Sequence, residues 1–364
     1  MKYGMTAFLL ASLLLVGQKS FAWGSRGHHT ICAAAVFLVQ DKNFKEFLRE
    51  RPDTMGHLCN IPDIYWRSIP PEMTKEGNAT HFFDSELVAL PVKDFPLDYK
   101  QLITEYEGKK KADGEGIIRS FPHEFGSLWW RADQFYRRAV AEKDGLAKVP
   151  APPPPGQRPE MDDNSPYSKA VYNFYVNLGL MGHFVGDDSQ PLHITDDYDG
   201  YKKGHGGIHG YYEDYALSDI DGDLLSKVIK EAKKMREASR KETFLKPGTV
   251  LERMKALAVL SYADIDAVLK ADQLIKPSEQ KEEHGMKLRT AAERPPIEKT
   301  IKKFEPLIIK HLARAAALLA TLWDDAYKDA GLPNLKSYRS YKYPLEPDFV
   351  YPDYYEIKKE EPKK

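Results

Sequence analysis

The sequence predicts a mainly α fold, a single multi-helix domain, on three observations. Apolar residues recur at helical spacing over long stretches, strand-like alternation is scarce, and Pro191, Pro247, Gly331 and Pro333 stand at the ends of the helical runs. Taken in order, Lys2, a short apolar run over residues 5–16 and small residues at Ser20 and Ala22 read as a signal peptide, residues 1–22, cleaved before Trp23. The run is too short to span a bilayer as a mature helix, and no later stretch reads as a membrane span. The expectation is an exported protein, periplasmic or secreted.

Residues 30–39 are apolar and alanine-rich and predict a buried helix. Residues 149–166, with Pro152–Pro155, predict a stiff extended connection. Residues 167–187 predict a central helix stopped near Pro191, and residues 248–269 a further one. Residues 276–295 are charged and polar, a surface excursion. A last helix is expected over residues 296–330, with Leu307, Leu312, Ala315, Leu319 and Leu322 as its apolar stripe. The domain then runs over residues 23–333, and residues 334–364 form a Tyr/Pro-rich tail. Its basic and aromatic residues fit either tyrosines packed on the domain or a single-strand contact.

The formal net charge is −1, so no broad basic face is implied, and a nucleic acid would have to be held by the site itself. Cys32 and Cys59 lack the CxxC spacing of a cysteine zinc site. In an exported chain they could pair as a disulfide. Nothing in the sequence calls for a stable protein partner.

The chemistry concentrates in histidines and carboxylates. His183 and Asp187 are four apart, which a helix places on one face, and Pro191 turns the chain so that His193 returns to them. His209 and Glu213 repeat the spacing. His81 follows Thr80, Asp63 lies upstream, and Trp23-Gly24-Ser25-Arg26-Gly27-His28 opens the mature chain. Imidazole nitrogen and carboxylate oxygen are zinc ligands. Singly, each pair also reads as a hydrogen-bonded helix pair or a structural histidine.

Together, these residues resemble the superfamily that joins zinc-dependent single-strand-specific nucleases (fungal enzymes and plant type I nucleases) with bacterial zinc-dependent phospholipase C. The resemblance runs over residues 23–213, with weaker similarity in the last long helix. It implies a mainly α domain holding three Zn²⁺ ions. Asp63, His81, His183 and Asp187 would hold one ion. Trp23, His28 and Asp187 would hold its neighbour, with Asp187 bridging, and His193, His209 and Glu213 the third. The resemblance further implies that Trp23 binds through its free α-amine, so cleavage before it would complete the site. Zinc lowers the pKa of bound water towards about 7, and the hydroxide so formed would attack a phosphodiester, with Asp63 orienting it or taking its proton. Relative to the family, residues 86–166 and 276–295 are insertions. Phe121, Phe125, Trp129, Trp130 and Phe135 in the first are either core or a substrate wall.

Substrate choice rests on finer marks. The compact spacing from Trp23 to His28 resembles the nucleases, and Phe82 matches a ring that stacks on a base. Glu213 as last ligand and the short interval from His193 to His209 resemble phospholipase C. Trp66 stands where the nucleases often carry arginine, and Arg67 beside it is the candidate substitute for phosphate contact. The expected activity is hydrolysis of single-stranded DNA, RNA or nucleotides, with phospholipid as the alternative and a non-catalytic zinc-binding protein as a third reading.

Overall fold

The computed structural model describes residues 23–157, 161–283, 286–340 and 342–357. The expected signal peptide, Tyr341 and the end of the tail lie outside the described residues. The fold is mainly α, 59 % helical with 4 % strand. Among the described residues, seven long helices position everything else: α1 (Gly24–Leu38), α2 (Pro52–Ile64), α3 (Leu128–Val140), α4 (Pro166–Ser189), α5 (Leu224–Glu237), α6 (Val250–Ala263) and α7 (Ile301–Asp329).

Local chemistry sets their ends. The Ser165 side chain accepts from the Ser168 amide and Pro166 occupies the first turn of α4, where its missing N–H costs nothing. Asp223 caps α5 through the Ser226 amide, and Thr249 and Glu252 cap α6 reciprocally. The helix expected over residues 248–269 breaks at Asp264 and resumes as Ile265–Ala271. Asp264 faces Lys310, His311 and Arg314 on α7, and these three cations or donors hold the break in place.

The core is built around α4, buried from Phe174 to Ser189 and packed by α1, α2, α3, α6 and α7. Gly179, Gly182 and Gly186 line one face of it. A Cβ at Gly179 would meet Leu58 of α2 at 2.5 Å, and one at Gly182 would meet Cys32 Sγ of α1 at 2.2 Å. These glycines let both helices approach the α4 backbone. The Cys32–Cys59 disulfide, with Cα atoms 6.2 Å apart, then ties α1 to α2 over that face.

α1 begins at Gly24, six residues before the predicted start, so His28 lies on a helix. α7 is long and apolar enough to cross a membrane, contrary to the sequence reading, but 72 % of its apolar window is buried in the domain. Its composition is that of a core helix. The aromatic residues between residues 86 and 166 belong to the core: Phe121, Phe125, Trp129, Trp130 and Phe135 are all buried. The charged segment after residue 276 holds an antiparallel hairpin, β1 (Glu279–Glu283) with β2 (Met286–Thr290), docked at its base by Arg294 on Asp272. Among the described tail tyrosines, Tyr338 and Tyr355 are buried against the domain, while Tyr343 and Tyr351 stay exposed.

Candidate metal centre

His183 and Asp187 stand one turn apart near the end of α4. α1 contributes His28 and α2 contributes Asp63. His81 comes from the loop after the short helix Pro71–Asn78. All five are buried. His183 Nε2 lies 2.9 Å from His81 Nδ1, and both approach Asp187 Oδ2, at 3.3 and 3.1 Å. The other oxygen, Asp187 Oδ1, faces His28 Nε2 at 3.2 Å. Asp63 stands 3.7 to 3.9 Å from His28, His81 and His183.

A second group follows immediately. The turn Pro191–His193 carries His193, and a stretch of π-helix over Tyr211–Ala216 carries Glu213. π-turns of this kind recur at functional sites because the wider turn re-aims a side chain. His209 Nε2 lies 2.7 Å from Glu213 Oε2 and 3.0 Å from His193 Nε2. Trp23, fully buried, donates its backbone N–H to Glu213 Oε2 at 3.3 Å, and Gln190 Nε2 donates to the same oxygen at 3.0 Å. The resemblance had grouped Trp23 with His28 and Asp187. Here its backbone N–H donates to Glu213, since a buried N–H needs an acceptor and this carboxylate supplies one.

Among the described residues there are three sets whose ligand atoms, within each set, lie within 4.8 Å of one another: His28, Asp63 and His183; His81, His183 and Asp187; and His193, His209 and Glu213. The first two share His183 and form one five-residue cluster.

The hydrogen bonds test whether a cation fits. A carbonyl only accepts, so His183 Nδ1–H donates to Cys59 O (2.8 Å) and His193 Nδ1–H to His81 O (2.5 Å). With either ring neutral, Nε2 then carries a bare lone pair aimed inward. Those lone pairs face a second imidazole and a carboxylate, an arrangement one proton cannot satisfy and a divalent cation can. Both ring nitrogens of His28, Asp63 Oδ2 and Asp187 Oδ1 are buried without a hydrogen-bond partner among the described residues. The residues fit the group.

Electrostatics give most of these side chains their ligating forms. Burial lowers His81 to about 4. His28 is lowered first by burial and then by His183. Burial alone would raise Asp63, but His183, His81 and Arg67 outweigh it and hold the carboxylate ionised. Glu213, for which burial is also outweighed by His209 and His193, is held at about 2. His183 and His193 run the other way: Asp187 and Asp63 overcome burial and raise His183, and Asp187 and Glu213 overcome burial and raise His193 to about 9. That is the response of an imidazole among carboxylates, and a cation would fill the same role.

Phe82 and Arg67 share a cleft of about 510 Å³ with Lys75, Asn78 and His123. Arg67 donates twice to Asp63 Oδ1, at 2.6 and 2.9 Å. Trp66 is buried, with its indole N–H on Pro347 O, so it packs against the tail.

Gln190 escaped the sequence reading, although an amide between two candidate ligands at a helix end was a usable signal. So did the carbonyls of Cys59 and His81, which no side-chain pattern marks. No protein-family model matches the chain, and no curated protein matches it above chance.

Proposed function

We propose that the protein is an exported zinc-dependent phosphodiesterase acting on single-stranded DNA, RNA or nucleotides. The observation that carries this reading is the placement of Phe82 and Arg67 on one cleft, each directly beside a residue of the five-membered cluster. An aromatic ring and cationic side chains at that distance from a metal-fitting cluster suit a base and its phosphate. The Cys32–Cys59 disulfide supports an oxidising compartment.

Zinc, when bound, supplies Lewis-acid activation of water and neutralises phosphate charge. The chain's own residues do the rest. Arg67 occupies Asp63 Oδ1 and leaves Oδ2 to take a proton from the attacking water. Phe82 stacks on a base and so places the scissile phosphate beside His81. Lys75 on the cleft wall steers the anionic backbone. His183 and His193 hold their rings fixed through burial and the carbonyl contacts above, and His28 through burial alone, so little reorganisation accompanies reaction.

The test is zinc content and hydrolysis by purified protein beginning at Trp23, with single-stranded DNA, RNA and phosphatidylcholine side by side and Asp187→Asn as control. About three zincs with nucleic-acid cleavage lost in the control is the expected result. Cleavage of phosphatidylcholine alone would transfer the site to the phospholipase reading. Absence of bound zinc would end the metal reading.

A further inference from the structure

We infer that residues 345–355 of the tail are a positioning strap that seats two ligands of the five-residue cluster, Asp63 and His81. The inference rests on the metal reading of that cluster. The strap grips the end of α2 first. Trp66, one turn past Asp63, donates its indole N–H to Pro347 O at 2.9 Å and meets the Phe349 ring edge-on at 5.2 Å. His57, one turn and a half before Asp63, contacts Leu345 O at 2.8 Å.

The same segment then grips the backbone leading to His81. Tyr355 donates its hydroxyl to Glu76 Oε2 at 2.7 Å. Phe349 lies so close to Gly77 that a Cβ there would sit 3.3 Å from its ring. Ser127 donates to Ala79 O at 3.2 Å, so it accepts from Tyr354 Oη at 2.8 Å, which links the strap to a carbonyl two residues from His81.

α3 is the rigid anchor. Gln134 Nε2 donates to Tyr351 O at 2.7 Å, and Arg137 forks onto Asp353 at 2.6 and 3.0 Å. Arg131 is fully buried among the rings of Trp66, Phe135, Phe184 and Phe349 and donates to Val350 O at 2.6 Å. It has no ion pair among the described residues. Apolar packing alone would be served better by an apolar side chain, because an unpaired buried cation is costly. The guanidinium fixes the register of the strap against α3, and so of the two ligand-bearing segments on its other side. Partners that orient metal ligands are commonly worth about 10–100-fold in metal affinity.

The experiment uses the chain from Trp23 through its natural C-terminus, loaded with cobalt(II) and titrated against a chromogenic chelator. The double variant Tyr354→Phe, Tyr355→Phe keeps both rings and loses both hydroxyls. It should weaken one ion about 10–100-fold, alter that ion's visible ligand-field bands, and leave the remaining ions and the melting temperature near those of the unaltered chain. Arg131→Lys, which keeps the charge and loses the fork, should do the same, and the tyrosine pair decides if that variant does not fold. Unchanged affinities and spectra would overturn the strap. So would parallel weakening of every ion in step with a lowered melting temperature, the mark of a merely structural segment. If the unaltered chain takes up no cobalt, the metal reading falls and the strap with it. Uptake by the unaltered chain without a selective loss in the variants removes the strap alone.

Discussion

Replacing Gly182 by alanine perturbs the α4 face against which the disulfide packs. The added Cβ would stand 2.2 Å from Cys32 Sγ, 3.1 Å from Cys59 Sγ and 3.0 Å from Leu319 Cδ2. Van der Waals contact needs about 3.5 Å, so α1 and α4 must part by roughly 1 Å. The sulfurs cannot swing aside, being bonded to each other and anchored on two helices. Overpacking of this kind costs about 1–3 kcal/mol, and alanine recovers up to about 1 kcal/mol in helix propensity. The net loss should be about 1–2 kcal/mol, a fall of roughly 1–3 °C in melting temperature for a domain of more than 300 residues. Because His183 is the next residue and His28 lies one turn above Cys32, the parting should also lower metal content. Melting curves and metal analysis on Gly182→Ala check both. The same substitution in a Cys32→Ala, Cys59→Ala background should cost little, because the clashing sulfurs are gone, giving a coupling near the whole effect. An equal cost in both backgrounds, or none in either, would refute the close-approach account.

Phe82→Ala should weaken single-stranded substrate by about 1–3 kcal/mol, roughly 5–150-fold, while a small chromogenic phosphodiester is turned over as before. Equal losses on both substrates would remove the stacking role. Asp187→Asn should reduce metal content, since the two Asp187 oxygens face different histidines, and undiminished content measured by mass spectrometry would speak against sharing. Chelation should lower the melting temperature, because an ion at about 100 times its dissociation constant stabilises by about 2.7 kcal/mol per site; superimposable melting curves would argue against bound metal. Asp264 yields a pH dependence. Burial raises its carboxyl, but His311, Lys310 and Arg314 outweigh burial and hold it well below the usual range. Its stabilisation is therefore complete above an unfolded value of about 3.9 and is lost as pH falls below that. Asp264→Asn should lower the melting temperature at neutral pH and flatten its fall below about pH 4, and parallel acid limbs in the two proteins would contradict the assignment.

The helices were legible because each carries its own periodicity and end signals. α4 shows both, with Ser165 and Pro166 at its start and Pro191 beyond its end. The start of α1 was missed because Gly24-Ser25-Arg26-Gly27 has poor helix propensity. It is helical since Trp23 is buried against Tyr212 and His311, a tertiary cause invisible locally. The break at Asp264 was missed for a similar reason. Nothing in residues 260–268 marks a stop, and the partners that hold Asp264 lie on α7, more than forty residues away. The segment between residues 86 and 166 was legible as aromatic and illegible as core, since burial depends on which surface comes to cover it.

The candidate ligands divide along the same line. Histidine and carboxylate pairs four apart announce themselves, and a proline between two such residues says that the chain turns back. What aims them does not. His183 is fixed by the Cys59 carbonyl and His193 by the His81 carbonyl, groups every residue possesses and no sequence pattern distinguishes. The closeness of His28 to α4 depends on Gly186, where a Cβ would sit 2.8 Å from its ring. The identity of a ligand is thus a local property of the sequence, whereas its geometry belongs to the packing of α1, α2 and α4. A substitution at Gly182 or Gly186 changes no ligand, yet it moves the helix that carries two of them. Loss of metal on such a substitution would separate the two properties in a way that no ligand substitution can.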